Sequence, residues 1–240
     1  MIAKAAQWIG MRRKQEDSYV VKFFREGVLA VVCDGMGGHH DGALASTLAS
    51  ESFLKSFEKN DSLPVPQRLR VALDDANEAV RKSFESRGIY GGTTLLAAFA
   101  GSSVLRWVSV GDSALYLWRG GRLMRLNQDH SYRDIYRAYI GAGMTAKEAL
   151  RRGHVLRTAI TGESLDLVDA PSIPYPLMPG DRVVLTTDGC EEILDPEMLT
   201  HVGRSILNKR EGSLPVAIIE ACQALEDPCA DNATIVSIDI

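Results

Sequence analysis

The sequence predicts an α+β fold with antiparallel sheets at its centre and amphipathic helices outside. Three observations carry this. Apolar, strand-like segments follow one another through short turns, which implies antiparallel pairing. Two pairs of amphipathic helical segments stand between groups of strands and need an apolar sheet face to cover. No repeat, linker or low-complexity tract divides the 240 residues, so 1–240 reads as a single domain.

Each element has its own signal. Ser18–Phe24 and Val28–Cys33 flank Arg25-Glu26-Gly27, a short hairpin connection. The second segment, VLAVVC, is apolar on both faces, as a strand covered from both sides must be. Asp41 offers an N-cap to a helix running to about Lys59, and a second helix from about Pro66 to Ser86 carries Leu69, Leu73, Ala76 and Val80 on one face. Strands follow at Thr93–Ala100, Val104–Val110, Leu115–Trp118 and Leu123–Leu126, the last two bracketing Arg119-Gly120-Gly121-Arg122. Asn127 to Gly162 is more polar, holds two short helical patterns with a Thr145-x-x-Glu148 capping box, and reads as an excursion from the sheet. Strands return at Ile173–Leu177 and Arg182–Thr187. Helices at about Pro196–Asn208 and Leu214–Leu225 precede a last strand, Ala233–Ile240.

Composition narrows the function classes. Hydrophobic residues make up 45% and charged residues 24%, as in ordinary soluble domains. A formal charge of −4 argues against a general nucleic-acid binder. The longest uncharged apolar stretch, Thr94 to Leu105, is too short to span a bilayer, and no secretory leader is expected from the pattern of the first residues. Cys33, Cys190, Cys222 and Cys229 form no CxxC pair and read as reduced thiols of a cytoplasmic protein.

The chemical signal is a carboxylate repeated at strand ends. Asp34 follows VLAVVC, Asp112 follows WVSVG, Asp188 follows VVLTT, and Asp231 stands two residues before ATIVSIDI. Glu16 and Asp17 precede the first hairpin strand. A strand end holds a side chain rigidly while letting it face a cleft, which suits a metal ligand. Taken singly, each has a plainer explanation: Asp-Gly is a common turn pair, Asp231-Asn232 can open a strand, and Glu16-Asp17 can be a solvated pair.

Their order resembles a known family. Arg12-x-x-Gln15-Glu16-Asp17, Asp34-Gly35-Met36-Gly37-Gly38-His39, Gly91-Gly92-Thr93-Thr94, Val110-Gly111-Asp112-Ser113, Thr187-Asp188-Gly189 and Asp231-Asn232-Ala233-Thr234 are similar to the blocks of the metal-dependent serine/threonine phosphatases of the protein phosphatase 2C family. The blocks occur in family order across essentially the whole chain. The resemblance implies a four-layer αββα sandwich, two central antiparallel sheets flanked by helix pairs, with a flap subdomain at about 127–162. It implies Mg²⁺ or Mn²⁺, two ions with a third site open, and hydrolysis by a metal-bridging hydroxide attacking phosphorus in line. All-oxygen ligands suit those hard ions, whereas zinc recruits His or Cys. By the same resemblance Asp34 would bridge both ions with the Gly35 carbonyl on one. Asp188 and Asp231 would complete the other ion's ligands, and Glu16 and Asp17 would hold the second directly or through waters. Asp112 with Asp188 would form the third site. Arg12 would clamp the substrate phosphate, a task for which guanidinium is shaped.

Other residues read less sharply. His39 stands between a loop role and a supporting one, and the histidine that many eukaryotic members carry after Asp-Gly is replaced by Met36, so no general acid is assigned. His130, His154 and His201 read as structural or exposed. Cys33 reads as core, and Arg13 as surface. Gln15 stands where Asn is usual and Ala114 where Arg is common, and the segment Val155 to Gly162 departs from the family pattern. The implied activity is removal of phosphate from serine or threonine on proteins, with a serine/threonine kinase or its targets as partners and neither nucleic acid nor membrane. Two alternatives stand beside it: a pseudophosphatase used as a binding module, and a two-metal hydrolase of small phosphoesters.

Overall fold

The structure is a computed structural model describing residues 1–37, 41–140, 143–145, 148, 153–191 and 213–240. Its strands are β1 (Ile2–Trp8), β2 (Asp17–Phe24), β3 (Gly27–Met36), β4 (Gly92–Thr93), β5 (Leu95–Gly101), β6 (Val104–Val110), β7 (Ala114–Arg119), β8 (Arg122–Arg125), β9 (Tyr175–Pro176), β10 (Arg182–Thr186) and β11 (Ala233–Asp239). The helices are α1 (Asp41–Lys59), α2 (Val65–Arg87), α3 (Arg133–Ile140), α4 (Asp188–Glu191) and α5 (Leu214–Ala224). The helix expected at about Pro196–Asn208 and the residue His39 lie outside the described residues. Among those described, no helix is long and apolar enough to cross a membrane.

The strands form two antiparallel sheets, in the orders β1-β11-β10-β7-β8 and β2-β3-β5-β6-β9, with β4 paired to β3. Side-chain alternation turns them into layers. On β3, Leu29, Val31 and Cys33 pack under α1 and α2 against Phe53, Phe57, Leu69 and Leu73. The intervening Val28, Ala30 and Val32 face the other sheet, meeting Leu115, Leu117, Val183, Leu185, Val236 and Ile238. On that sheet's outer face Tyr116, Val184 and Ile235 pack against Leu214, Ile218 and Cys222 of α5. Helices, sheet, sheet and helix therefore stack in four layers. This is the expected α+β sandwich, with Cys33 in its core.

Local chemistry sets the element ends. α2 begins behind Pro64 and stops at Gly88, whose φ of +62° and N–H bonds to Phe84 and Glu85 carbonyls close its last turn. Between β7 and β8, Gly120 and Gly121 both have positive φ, the backbone that a two-residue hairpin with the native twist requires. The two bonds of the Thr145–Glu148 capping box form, with the Glu148 N–H donating to Thr145 Oγ1 at 3.2 Å and the Thr145 N–H donating to Glu148 Oε2 at 3.4 Å.

Four boundaries differ from the sequence reading. β1 is an edge strand that the sequence did not signal, because its inward positions include the small Ala3 and Ala5. β3 runs on through Asp34 to Met36, drawn out by its pairing with β4. The strand expected over Thr93–Ala100 is broken between β4 and β5. The one expected over Ile173–Leu177 shortens to the two residues of β9.

Pairing then decides where the acidic residues meet. Asp17 lies opposite Asp34 across β2 and β3. Leu96 of β5 lies opposite Val32, and Leu95 opposite Val110, so the end of β6 arrives at the same edge as the end of β3. In the other sheet Thr186 pairs with Ala114 on one side and Ile235 on the other. The ends of β6 and β10 and the starts of β7 and β11 thus gather at one rim of the sandwich.

Candidate active site

That rim opens into a cleft of about 290 Å³ lined by Arg12, Glu16, Asp34, Gly35, Asp112, Asp188 and Asp231, among others. Asp17 does not line it. Asp17 is 6% exposed and turns behind the wall, where its Oδ2 accepts hydrogen bonds from the hydroxyls of Thr187 at 2.8 Å and Thr234 at 2.6 Å. Its Oδ1 is buried with no hydrogen-bond partner among the described residues. Burial, reinforced by the nearby Asp188 and Asp231 and opposed by the two hydroxyls, pushes this carboxyl up to about 7.

Asp34 is the electrostatic centre. Desolvation first, then Asp188 and Asp17, with Asp112 adding, holds its carboxyl well above the usual carboxylate range. Asp34 and Asp188 lie within hydrogen-bonding reach of each other. The backbone around Asp34 is stapled by two threonines. The Asp34 N–H donates to Thr94 Oγ1 at 2.9 Å, while the Thr94 N–H and the Thr93 hydroxyl both donate to the Asp34 carbonyl at 2.9 Å. Thr94 Oγ1 also meets Ser113 Oγ at 2.7 Å, which links the Asp34 strand to the turn holding Asp112. The Gly-Gly-Thr-Thr and Asp-Ser blocks therefore act by positioning the acidic residues.

Gly35 is required by crowding. A Cβ there would lie 2.2 Å from the Gly42 carbonyl oxygen and 2.5 Å from that of Glu16. At Gly189 it would lie 2.0 Å from the Asn232 carbonyl oxygen. Both Asp-Gly pairs are thus places where another chain segment presses on the backbone next to a cleft carboxylate.

Arg12 stands at the cleft rim and bonds through Nη2 to Asp231 Oδ2 at 2.5 Å. Its side chain is 55% exposed, so the pair is open to exchange with a ligand anion. Asn232, beside Asp231, accepts from the Glu16 N–H at 2.7 Å and donates to the carbonyls of Ile9 at 2.8 Å and Lys14 at 3.0 Å. Gln15 donates to the Trp8 carbonyl at 3.1 Å and accepts from the Asp17 N–H at 3.0 Å, so both the nitrogen and the oxygen of the longer amide find partners.

The cleft also contains groups that the sequence did not single out for it: Thr94, Asn232, and His154 with Leu156 from the 127–162 segment. From sequence alone His154 is expected to be structural or exposed. Its place follows from how that segment folds back, through bridges of Ser131 to Leu156 and Thr93 to Ile160. His130 instead lies buried at the base of the segment, where its Nδ1 accepts from the Gly111 N–H at 3.3 Å.

The donor set suits hard divalent cations. It offers several carboxylates, and the Asp34 carboxyl sits where desolvation and the nearby Asp188 and Asp17 raise the cost of ionising without a counter-charge. Among the described residues no three Asp, Glu, His or Cys side chains are drawn to one point; they share the cleft as mutually repelling walls.

The described residues thus form a two-sheet sandwich with an acidic cleft at one rim and Arg12 beside it. The family model described as Protein phosphatase 2C matches residues 12–213, and the chain belongs to that family. It is 27% identical to the serine/threonine phosphatase stp of Listeria welshimeri over 221 residues, covering 88% of this chain and 84% of that one. The crystal structure of the Mycobacterium tuberculosis serine/threonine phosphatase PstP/Ppp superposes with a TM-score of 0.79 at 25% identity, covering 100% of this chain and 98% of that one. A structure of the PstP catalytic domain in complex with two manganese ions superposes with a TM-score of 0.76 at 26% identity, covering 99% and 97%.

Proposed function

We propose that this chain is a metal-dependent protein phosphatase that removes phosphate from serine and threonine side chains of proteins, acting as one domain with residues 127–162 as a flap over the cleft. The observation that carries the reading is the meeting of Glu16, Asp34, Asp112, Asp188 and Asp231 with Arg12 in one cleft of a protein phosphatase 2C chain. Its partners are phosphorylated proteins, with a serine/threonine kinase as the natural counterpart.

Two ions, Mg²⁺ or Mn²⁺, would supply an acidified water and neutralise phosphoryl charge. Asp34 and the Gly35 carbonyl, with Asp188 and Asp231, would hold them, and Glu16 would reach them from the opposite wall. Asp17 contributes from behind, by fixing Thr187 and Thr234 on either side of the β10–β11 junction. Asp112 lines the same cleft, and a third ion held with Asp188 is what the resemblance would imply for it. Arg12 binds substrate by exchanging Asp231 for phosphoryl oxygens, and Asn232 keeps its loop at the right height.

The test is phosphate release from a phosphothreonine peptide by metal-stripped protein, titrated separately with Mn²⁺, Mg²⁺ and Zn²⁺. Release that depends on Mn²⁺ or Mg²⁺ is expected. Asp34→Asn and Asp188→Asn should abolish it, while Arg12→Ala should mainly raise KM. Folded protein that releases nothing with any ion would turn the assignment toward a binding module. Full activity in Asp188→Asn would defeat the ligand assignment.

A further inference from the structure

The first helix of the flap brings a cation to the cleft carboxylate that is least exposed. The Asp112 side chain is 5% exposed, and Arg133, opening α3, holds Nη2 3.9 Å from its Oδ2. The same guanidinium places Nη1 3.5 Å from Asp129 Oδ2. Arg125 places its own Nη1 3.5 Å from that oxygen and donates through Nη2 to the Asp112 backbone carbonyl at 2.8 Å. Asp112, Arg133, Asp129 and Arg125 thus alternate in sign around a ring that closes on Asp112 itself. Arg133 and Asp129 are only 12% and 13% exposed, so solvent screens their charges poorly.

We infer that Arg133 is the resident cation of Asp112, so that the cleft takes up two metal ions and no third, and that this pair fastens the flap to the metal centre. The inference rests on the two-metal reading of the cleft. Its physical basis is competition: a dication on Asp112 would stand next to a guanidinium already pairing with that carboxylate, and would have to displace it. Removing the guanidinium charge leaves Asp112 available as a ligand. The flap would at the same time lose its ionic tie to the β6–β7 turn.

The experiment counts bound Mn²⁺ per chain by equilibrium dialysis with metal analysis, for the wild type and for Arg133→Met, Arg133→Lys, Asp34→Asn and the double variant Asp112→Asn/Arg133→Met. The wild type and Arg133→Lys should saturate at two ions. Arg133→Met should gain a third, weaker one, and the double variant should lose it again. Hydrogen exchange in 127–140 should be faster in Arg133→Met than in the wild type or Arg133→Lys. Three ions in the wild type, no gain in Arg133→Met, or a gain that survives in the double variant would overturn the inference while leaving the two-metal reading intact. If Asp34→Asn binds as many ions as the wild type, the two-metal reading itself fails and the Arg133 assignment falls with it.

Discussion

The Asn232 side-chain oxygen accepts a hydrogen bond from the Glu16 N–H at 2.7 Å, although 216 residues separate them. The same side chain donates to the carbonyls of Ile9 and Lys14. One amide beside a proposed metal ligand thereby fixes both ends of the loop carrying Arg12 and leads Glu16 to the cleft. The last strand of one sheet and the approach to the first strand of the other are thus joined at the rim of the acidic cleft.

Asn232→Ala should therefore lower kcat/KM by roughly tenfold or more and weaken Mn²⁺ binding, as loss of a group that orients ligands does. Asn232→Asp preserves the acceptor for Glu16 but loses the donors, so it should fall between. Steady-state kinetics with metal titration reads both effects.

Gly35→Ala should cost about 100-fold or more in turnover. The added methyl cannot be placed without moving either the Gly42 or the Glu16 backbone, and a shift near 1 Å in catalytic geometry has about that effect. The protein should remain folded by circular dichroism, since the strain falls at the rim and not in the core.

Asp17 should make the metal-free protein less stable as pH rises. Its carboxyl titrates at about 7 in the native chain against 3.8 as the ordinary value, so between these the native state binds more protons than the unfolded state. The contribution is fully present below the ordinary value and is lost as pH rises through the native one. Asp34 acts in the same direction. Thermal midpoints of chelator-treated protein should fall across this window, and Asp17→Asn should flatten the slope. An unchanged slope in the variant would show that Asp17 does not hold its proton.

Arg68→Ala should destabilise the fold without touching the cleft. Arg68 is 2% exposed, with its guanidinium carbon 3.8 Å from the centre of the Phe57 ring, Nε bonded to the Phe57 carbonyl and Nη1 to Glu26. The truncation removes that packing and leaves a cavity, at a cost of roughly 2–4 kcal/mol. Urea denaturation measures it, and kcat should stay within a factor of two at temperatures where both proteins are folded.

Much of this architecture was legible beforehand for definite reasons. VLAVVC announces a strand covered on both faces, and the structure splits it between the helix side and the sheet side. The amphipathic α1 and α2 carry their stripes plainly. β1 was not legible, since an edge strand whose inward residues include alanines has little apolar contrast. The cleft acids could be named from their order along the chain, but their roles relative to one another could not. Glu16 and Asp17 are neighbours in sequence, and only the structure shows one lining the cleft and the other turned behind it against Thr187 and Thr234. His154, which carries no motif, reaches the cleft only because its segment folds back onto the rim.

The sequence by itself determined the alternation of apolar residues that stacks the layers, the all-oxygen donor set that selects hard cations, and the glycines that let segments press together beside the acids. Tertiary structure decided which side chains share the cleft, that Arg12 rests on Asp231, and that Arg133 reaches Asp112. The physical reason lies in strand register. Side chains alternate faces with a period of two, so a carboxylate's direction is set by the pairing of its strand with partners distant in the chain.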